Sequence, residues 1–181
     1  MEIPSVVIGN QAGSLRLEIA RSRANLFWQR TEEESVDPAA TLQSFATRLA
    51  DIFEESDAPV GRLAAVIHRS ADENEPAKQL ARQYFKDRWV AGPLNRPQQL
   101  EIHAHKVISL NGFQANSWMR IRTGVRVGPN SPVVAVEQDL NTLDEIRPEQ
   151  SFARGQIEDF FSVAAREFDH ILDLYFPVDV S

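Results

Sequence analysis

The 181-residue chain has no cysteine. That removes disulfides, thiol nucleophiles and thiolate metal sites together. It also suits a reducing compartment, so the expected location is cytoplasmic. Long hydrophobic runs are missing as well: nothing approaches the ~18 apolar residues of a membrane-spanning helix. Residues 1–10 hold no basic segment followed by an apolar one, so neither a signal peptide nor a membrane partner is expected. The 8 glycines are scattered, which leaves no glycine-rich phosphate cradle, and neither Gly-x-Ser-x-Gly nor Ser-x-x-Lys occurs. Positive charge is the minority, 19 Lys and Arg against 26 Asp and Glu, for a net charge of −7. Such a balance argues against general binding to nucleic acid or anionic membrane. No catalytic residues, cofactor or metal are therefore expected.

What is present is ordinary globular material, 43% hydrophobic and 25% charged. The length suits one α+β domain spanning 1–181, with a subdomain boundary near 91–97, where AGPLNRP forms a connector. Leu15, Leu17 and Ile19 alternate with polar residues, as do Ala24, Leu26 and Trp28 with Asn25 and Phe27 between them. Both runs predict strands, paired through a turn at Arg21-Ser22 so that Leu17 faces Leu26 and Leu15 faces Trp28. Asp37-Pro38 is a helix start, followed by Leu42, Phe45, Ala46, Leu49, Ile52 and Phe53 at helical spacing. Residues 60–68 predict a strand with Leu63, Ala65 and Ile67 on one face. A second helix carries Ala77, Leu80, Ala81, Tyr84 and Phe85.

The sharpest local signal lies in the second half. Asn111-Gly112 sits between two alternating runs, which predicts a hairpin of 100–110 with 113–127. A two-residue loop opposes Leu110 to Phe113. Ile102 then faces Ile121 and Ala104 faces Met119 on one side. On the other side Glu101 faces Arg122, His103 faces Arg120 and His105 faces Trp118. Residues 133–140 add a third strand to this meander. Ile157, Phe161, Ala164, Phe168, Ile171 and Tyr175 mark a long C-terminal helix from about residue 148 to 176. The expected fold is a mostly antiparallel sheet (hairpin, single strand, three-stranded meander), two amphipathic helices, and the long C-terminal helix packed on one face.

Candidate function concentrates on the polar side of the hairpin. Glu101, His103 and His105 share a strand face and are zinc-competent residue types, although Arg120 opposite His103 would repel a cation. Trp118, Arg120, Arg122 and Arg126 form a basic stripe with an aromatic, a pattern suited to an anionic ligand or single-stranded RNA. The competing account is a cross-strand charge ladder with Glu101, Glu137 and Asp139 as partners. Asp169, His170 and Asp173 on the last helix are read as a solvated face. Acidic stretches at 32–34, 72–75 and 144–149 could meet a basic partner.

RANLFWQR at 23–30, the helix at 42–53, RLAAVIHR at 62–69, VAVEQDLN at 134–141 and the helix ending at Phe176 follow one another in a telling order. This order resembles the C-terminal two-thirds of a sporadically distributed family of uncharacterised bacterial proteins. The family's Arg-Tyr-x-Asn strand signature is replaced here by Ala-Val-Ile-His. The resemblance implies the same fold and a bacterial setting, and the family's patchy distribution implies mobile or defence-associated genes. The expected function is non-catalytic binding to another protein, as an antitoxin, immunity protein, inhibitor or accessory subunit. Binding of RNA or an anionic ligand through the Trp/Arg stripe is the alternative. The oligomeric state is left open.

Overall fold

A computed structural model describes residues 6–11, 14–20, 24–29, 37–56, 59–110, 112–143 and 151–175. In chain order the elements are β1 (Val6–Gly9), β2 (Leu15–Ile19), β3 (Ala24–Trp28), α1 (Pro38–Ser56), β4 (Ala64–Asp72), α2 (Pro76–Tyr84), α3 (Asp87–Val90), β5 (Glu101–Leu110), β6 (Phe113–Arg126), β7 (Ser131–Thr142) and α4 (Arg154–Tyr175). The fold is α+β with two antiparallel sheets, ordered β1-β2-β3 and β4-β7-β6-β5. The hairpin expected at 15–28 is present, with Leu17 opposite Leu26 and Leu15 opposite Trp28. It belongs to its own sheet, which β1 joins through pairs such as Ile8 with Leu17. No residue of these three strands enters the buried hydrophobic core. The Arg21-Ser22 turn, Asn111, and the acidic stretches at 32–34 and 144–149 lie outside the described residues.

The four-stranded sheet has the expected meander register. Leu110 opposes Phe113, Ile102 opposes Ile121 and Ala104 opposes Met119. Gly112 takes φ of +87°, which an L side chain rarely adopts. β7 continues the meander with Ile121 opposite Val136, and β4 then pairs antiparallel with β7, Ala65 opposite Leu140. Because side chains alternate with period two, this single register fixes the facing of every residue in the sheet.

α4 takes one of those faces. It buries Ile157, Phe160, Phe161, Ala164, Ala165, Phe168, Ile171 and Leu172. Its first half meets Ala65, Phe113, Ala115 and Leu140 of the sheet, with Ala46 and Ala50 of α1 in the same cluster. Its last turns meet Ile121, Val134 and Val136, with Leu80 of α2. Gln138 lies between these two clusters in the register, fully buried, its Nε2 donating to Ser117 Oγ at 3.1 Å. Its Oε1 has no hydrogen-bond partner among the described residues. Ala104 shares the helix-side face but is exposed. It sits on the edge strand β5, whereas α4 lies over β4 and β7.

α1 packs against α4. Asp37 caps α1, its Oδ1 accepting the Ala40 N–H at 3.3 Å. At the other end of α1, Asp51 and Glu54 each lie 2.7 Å from Arg154 Nη1, and Glu158 lies 3.0 Å from Arg154 Nε. The hydrogen bonds to Glu54 and Asp51 push the Arg154 guanidinium pKa further up. The two helices therefore run antiparallel, with the start of α4 clamped to the end of α1. Near the far end, burial pushes the Asp169 carboxyl pKa up, helped by the like charges of Asp37 and Asp173. Asp169 is half-buried, whereas His170 and Asp173 are exposed.

A carboxyl whose pKa is raised by folding destabilises the fold when ionised, and that cost vanishes once it is protonated. Asp169→Asn should therefore melt at a higher temperature than the wild type near pH ~7. The gain should disappear as pH falls below the ordinary carboxylate range of about 4. Thermal melts across pH check both the sign and the window.

Candidate functional site: the open face of the sheet

The same alternation that feeds the core turns a second set of side chains outward. Register places these in rows across the four strands. Val66, Asp139, Trp118 and His105 form one row, in the strand order β4, β7, β6, β5. His68, Glu137, Arg120 and His103 form the next. Ser70, Ala135, Arg122 and Glu101 form the third. Glu101, His103, His105, Trp118, Arg120, Arg122, Glu137 and Asp139 thus all fall on this face. Arg126 belongs to it too, reaching Ser70 Oγ at 3.4 Å and Asp72 Oδ1 at 3.6 Å.

The middle row is neutralised internally. Glu137 Oε1 lies 2.5 Å from Arg120 Nη1, and its Oε2 lies 3.3 Å from His68 Nδ1. The Glu137 side chain retains only 15% of its exposure, because two neighbours close over it from either side. This is one rung of the charge ladder the sequence suggests. Another expected rung forms differently. Glu101 stands opposite Arg122 in register, yet its Oε1 meets His103 Nε2 at 2.7 Å, two residues along its own strand. Arg122 consequently has no ion-pair partner among the described residues, whereas Arg120 and Arg126 each have a carboxylate.

The zinc-type stripe does not converge. Glu101 and His103 hold each other, while His105 turns to Asn116, 2.9 Å from its Nε2, and stacks on Trp118. Among the described residues, no three His, Asp or Glu side chains are grouped to hold a metal ion.

A directed chain of hydrogen bonds links the first row to Asn141 and Asn116, which pair in the row beside it. Asn141 Nδ2 donates to Asp139 Oδ1 at 2.9 Å, and Asn116 Nδ2 donates to Asn141 Oδ1 at 3.3 Å. A carboxylate can only accept, so Asp139 fixes the polarity of both amides. Asn116 must then turn its oxygen to His105, and the His105 Nε2 must carry the proton. His105 and Trp118 stack with ring centroids 4.1 Å apart and planes 16° from parallel. Val66, in the same row on β4, and Val107, two residues along β5 from His105, are each 50% exposed.

Reasoning from the sequence missed His68, Asn116, Asn141, Val66 and Val107. The alternation of Leu63, Ala65 and Ile67 already implied that Val66 and His68 point the other way. What it lacked was the neighbour of that strand. Elsewhere, a shallow surface depression of about 250 Å³ lies between Ser109, Leu110, Asp159, Ser162, Val163 and Arg166. It brings together none of the candidate residues.

The neutral His105 ring should exist as the Nε2–H tautomer, with Nδ1 bare. Nitrogen-15 NMR of the imidazole reads this directly, and a dominant Nδ1–H form would contradict the chain's polarity.

Among the described residues no helix is long and apolar enough to cross a membrane. The chain matches no protein-family model and no curated protein sequence.

Proposed function

We propose that this protein is a non-catalytic binding module whose open sheet face docks on another protein. The observation that carries the reading is the composition of the face around Trp118. The His105–Trp118 stack shares its row with half-exposed Val66, and half-exposed Val107 follows His105 along β5, on a surface where most charges already have partners. Exposed aromatic and aliphatic side chains set among polar groups that are mostly paired are the usual energetic centre of a protein–protein contact. An antitoxin, immunity protein, inhibitor or accessory subunit working in the cytoplasm of a bacterium would use such a face.

Binding of RNA or another anionic ligand is the second reading, and Arg122 is the feature that favours it. It has less support, since Arg120 and Arg126 are engaged by Glu137 and Asp72. Asp139 also places negative charge beside the aromatic.

Capture from a native lysate, followed by identification and a repeat with variants, tests the proposal. The partner retained by the wild type should be lost with Trp118→Ala. It should be kept with Val127→Ala, a change in the turn beyond β6, and at raised salt. A lone monomer in light scattering, with nothing captured, would count against the reading. So would saturable single-stranded RNA binding at low salt that vanishes when Arg120, Arg122 and Arg126 become Gln, which is the signature of counterion release.

A further inference from the structure

The first row of the open face contains a slot, and its chemistry specifies part of what docks there. Asp139 lies on β7, between Val66 on β4 and Trp118 on β6. The near-parallel stack of Trp118 on His105 covers one face of the indole from the β5 side. On its other side β6 pairs with β7, where Asp139 stands opposite Trp118. Two strand spacings separate the backbones of the walls, about 9.6 Å.

The floor of this slot is a half-buried carboxylate with no cationic partner among the described residues. Asp139 Oδ1 accepts the Asn141 amide, a neutral donor that holds the side chain in place and brings no countercharge. The cation in the next row, Arg120, is committed to Glu137. An indole beside a carboxylate that has no cationic partner among the described residues suits one chemical group above others: a planar cation. A guanidinium stacks on indole, and its fork of N–H donors matches a carboxylate.

We propose that the slot bounded by Val66, Asp139 and Trp118 receives an arginine side chain of the docking partner. This inference rests on the reading of the open face as a protein-binding surface, and it narrows that partner to one presenting an exposed arginine. An ammonium lacks the flat face and the fork. A nucleotide would bring its phosphate toward Asp139 at a cost.

The test needs no partner. N-acetyl-arginine methylamide is titrated into the whole protein while the Trp118 indole N–H and the His105 ring are followed by NMR. A saturable shift of Trp118 is expected, weakened about tenfold or more in Asp139→Asn. The citrulline analogue has the same shape without the charge and should bind comparably weakly. Equal responses from arginine and citrulline, an Asp139→Asn variant that binds as the wild type does, or a stronger response to guanosine monophosphate would each overturn the proposal. If partner capture depends on Trp118 while the arginine probe fails, this inference falls and the docking reading stands. If capture ignores Trp118, the docking reading falls whatever the probe does.

Discussion

The packing of α4 onto one side of the β4-β7-β6-β5 sheet is the constraint from which the rest follows. Its aromatic stripe, with Phe160 fully buried, joins Leu140 and Ala115 in one cluster, while Ile171 and Leu172 join Ile121 and Val136 in the other. A strand offers two faces and no third choice, so committing Ile121 and Val136 to the helix commits Arg120, Arg122, Glu137 and Asp139 to the outside. A slip of one residue in β6 would bring Arg120 and Arg122 under α4 and strip Ile121 from the core. Burying those charges without partners would cost far more than a surface ion pair returns. The composition of the open face is thus the residue of the core's requirements.

That face is organised by short-range compromises. Glu137 is shared by Arg120 and His68, while Glu101 chooses His103 over Arg122. Surface pairs of this kind stabilise the fold little, roughly 0–1 kcal/mol each. Their larger effect is to remove charges from availability. What is left over is specific: Arg122 at one end, Asp139 beside Trp118 at the other, and half-exposed Val66 and Val107 on the same face. A face with few unsatisfied groups is selective, because a partner must complement those few.

Much of this arrangement is legible before any coordinates. Asn111-Gly112, flanked by alternating runs, specifies the β5–β6 register down to individual pairs, because hairpin geometry is local. The Asp37-Pro38 cap is local in the same way. The strand β1 was not legible: VVIG has no alternation, and all four of its residues are exposed. The placement of β4 beside β7 was equally hidden, because a strand separated from its neighbour by two helices and a hairpin carries no local record of the pairing. That is why His68 and Val66 were missed, and why Asp139 looked like a rung of the arginine ladder when it instead accepts from Asn141. The Arg154 clamp on Asp51 and Glu54 was hidden for the same reason, since it joins two helices about a hundred residues apart. Gln138 is an apparent exception to core patterning. Its position in the alternation is right for burial, but its type is polar, and its Nε2 is satisfied by Ser117, diagonally across on β6.

The central claim is that α4 occupies one side of this sheet and leaves the other for a partner. Photo-crosslinking with a benzophenone side chain, placed in turn at Val107 on the open face and at Leu174 on α4, tests it most directly, since both sites are about half exposed. The account predicts that Val107 crosslinks the native partner and Leu174 does not. A crosslink from Leu174 with none from Val107 would contradict it.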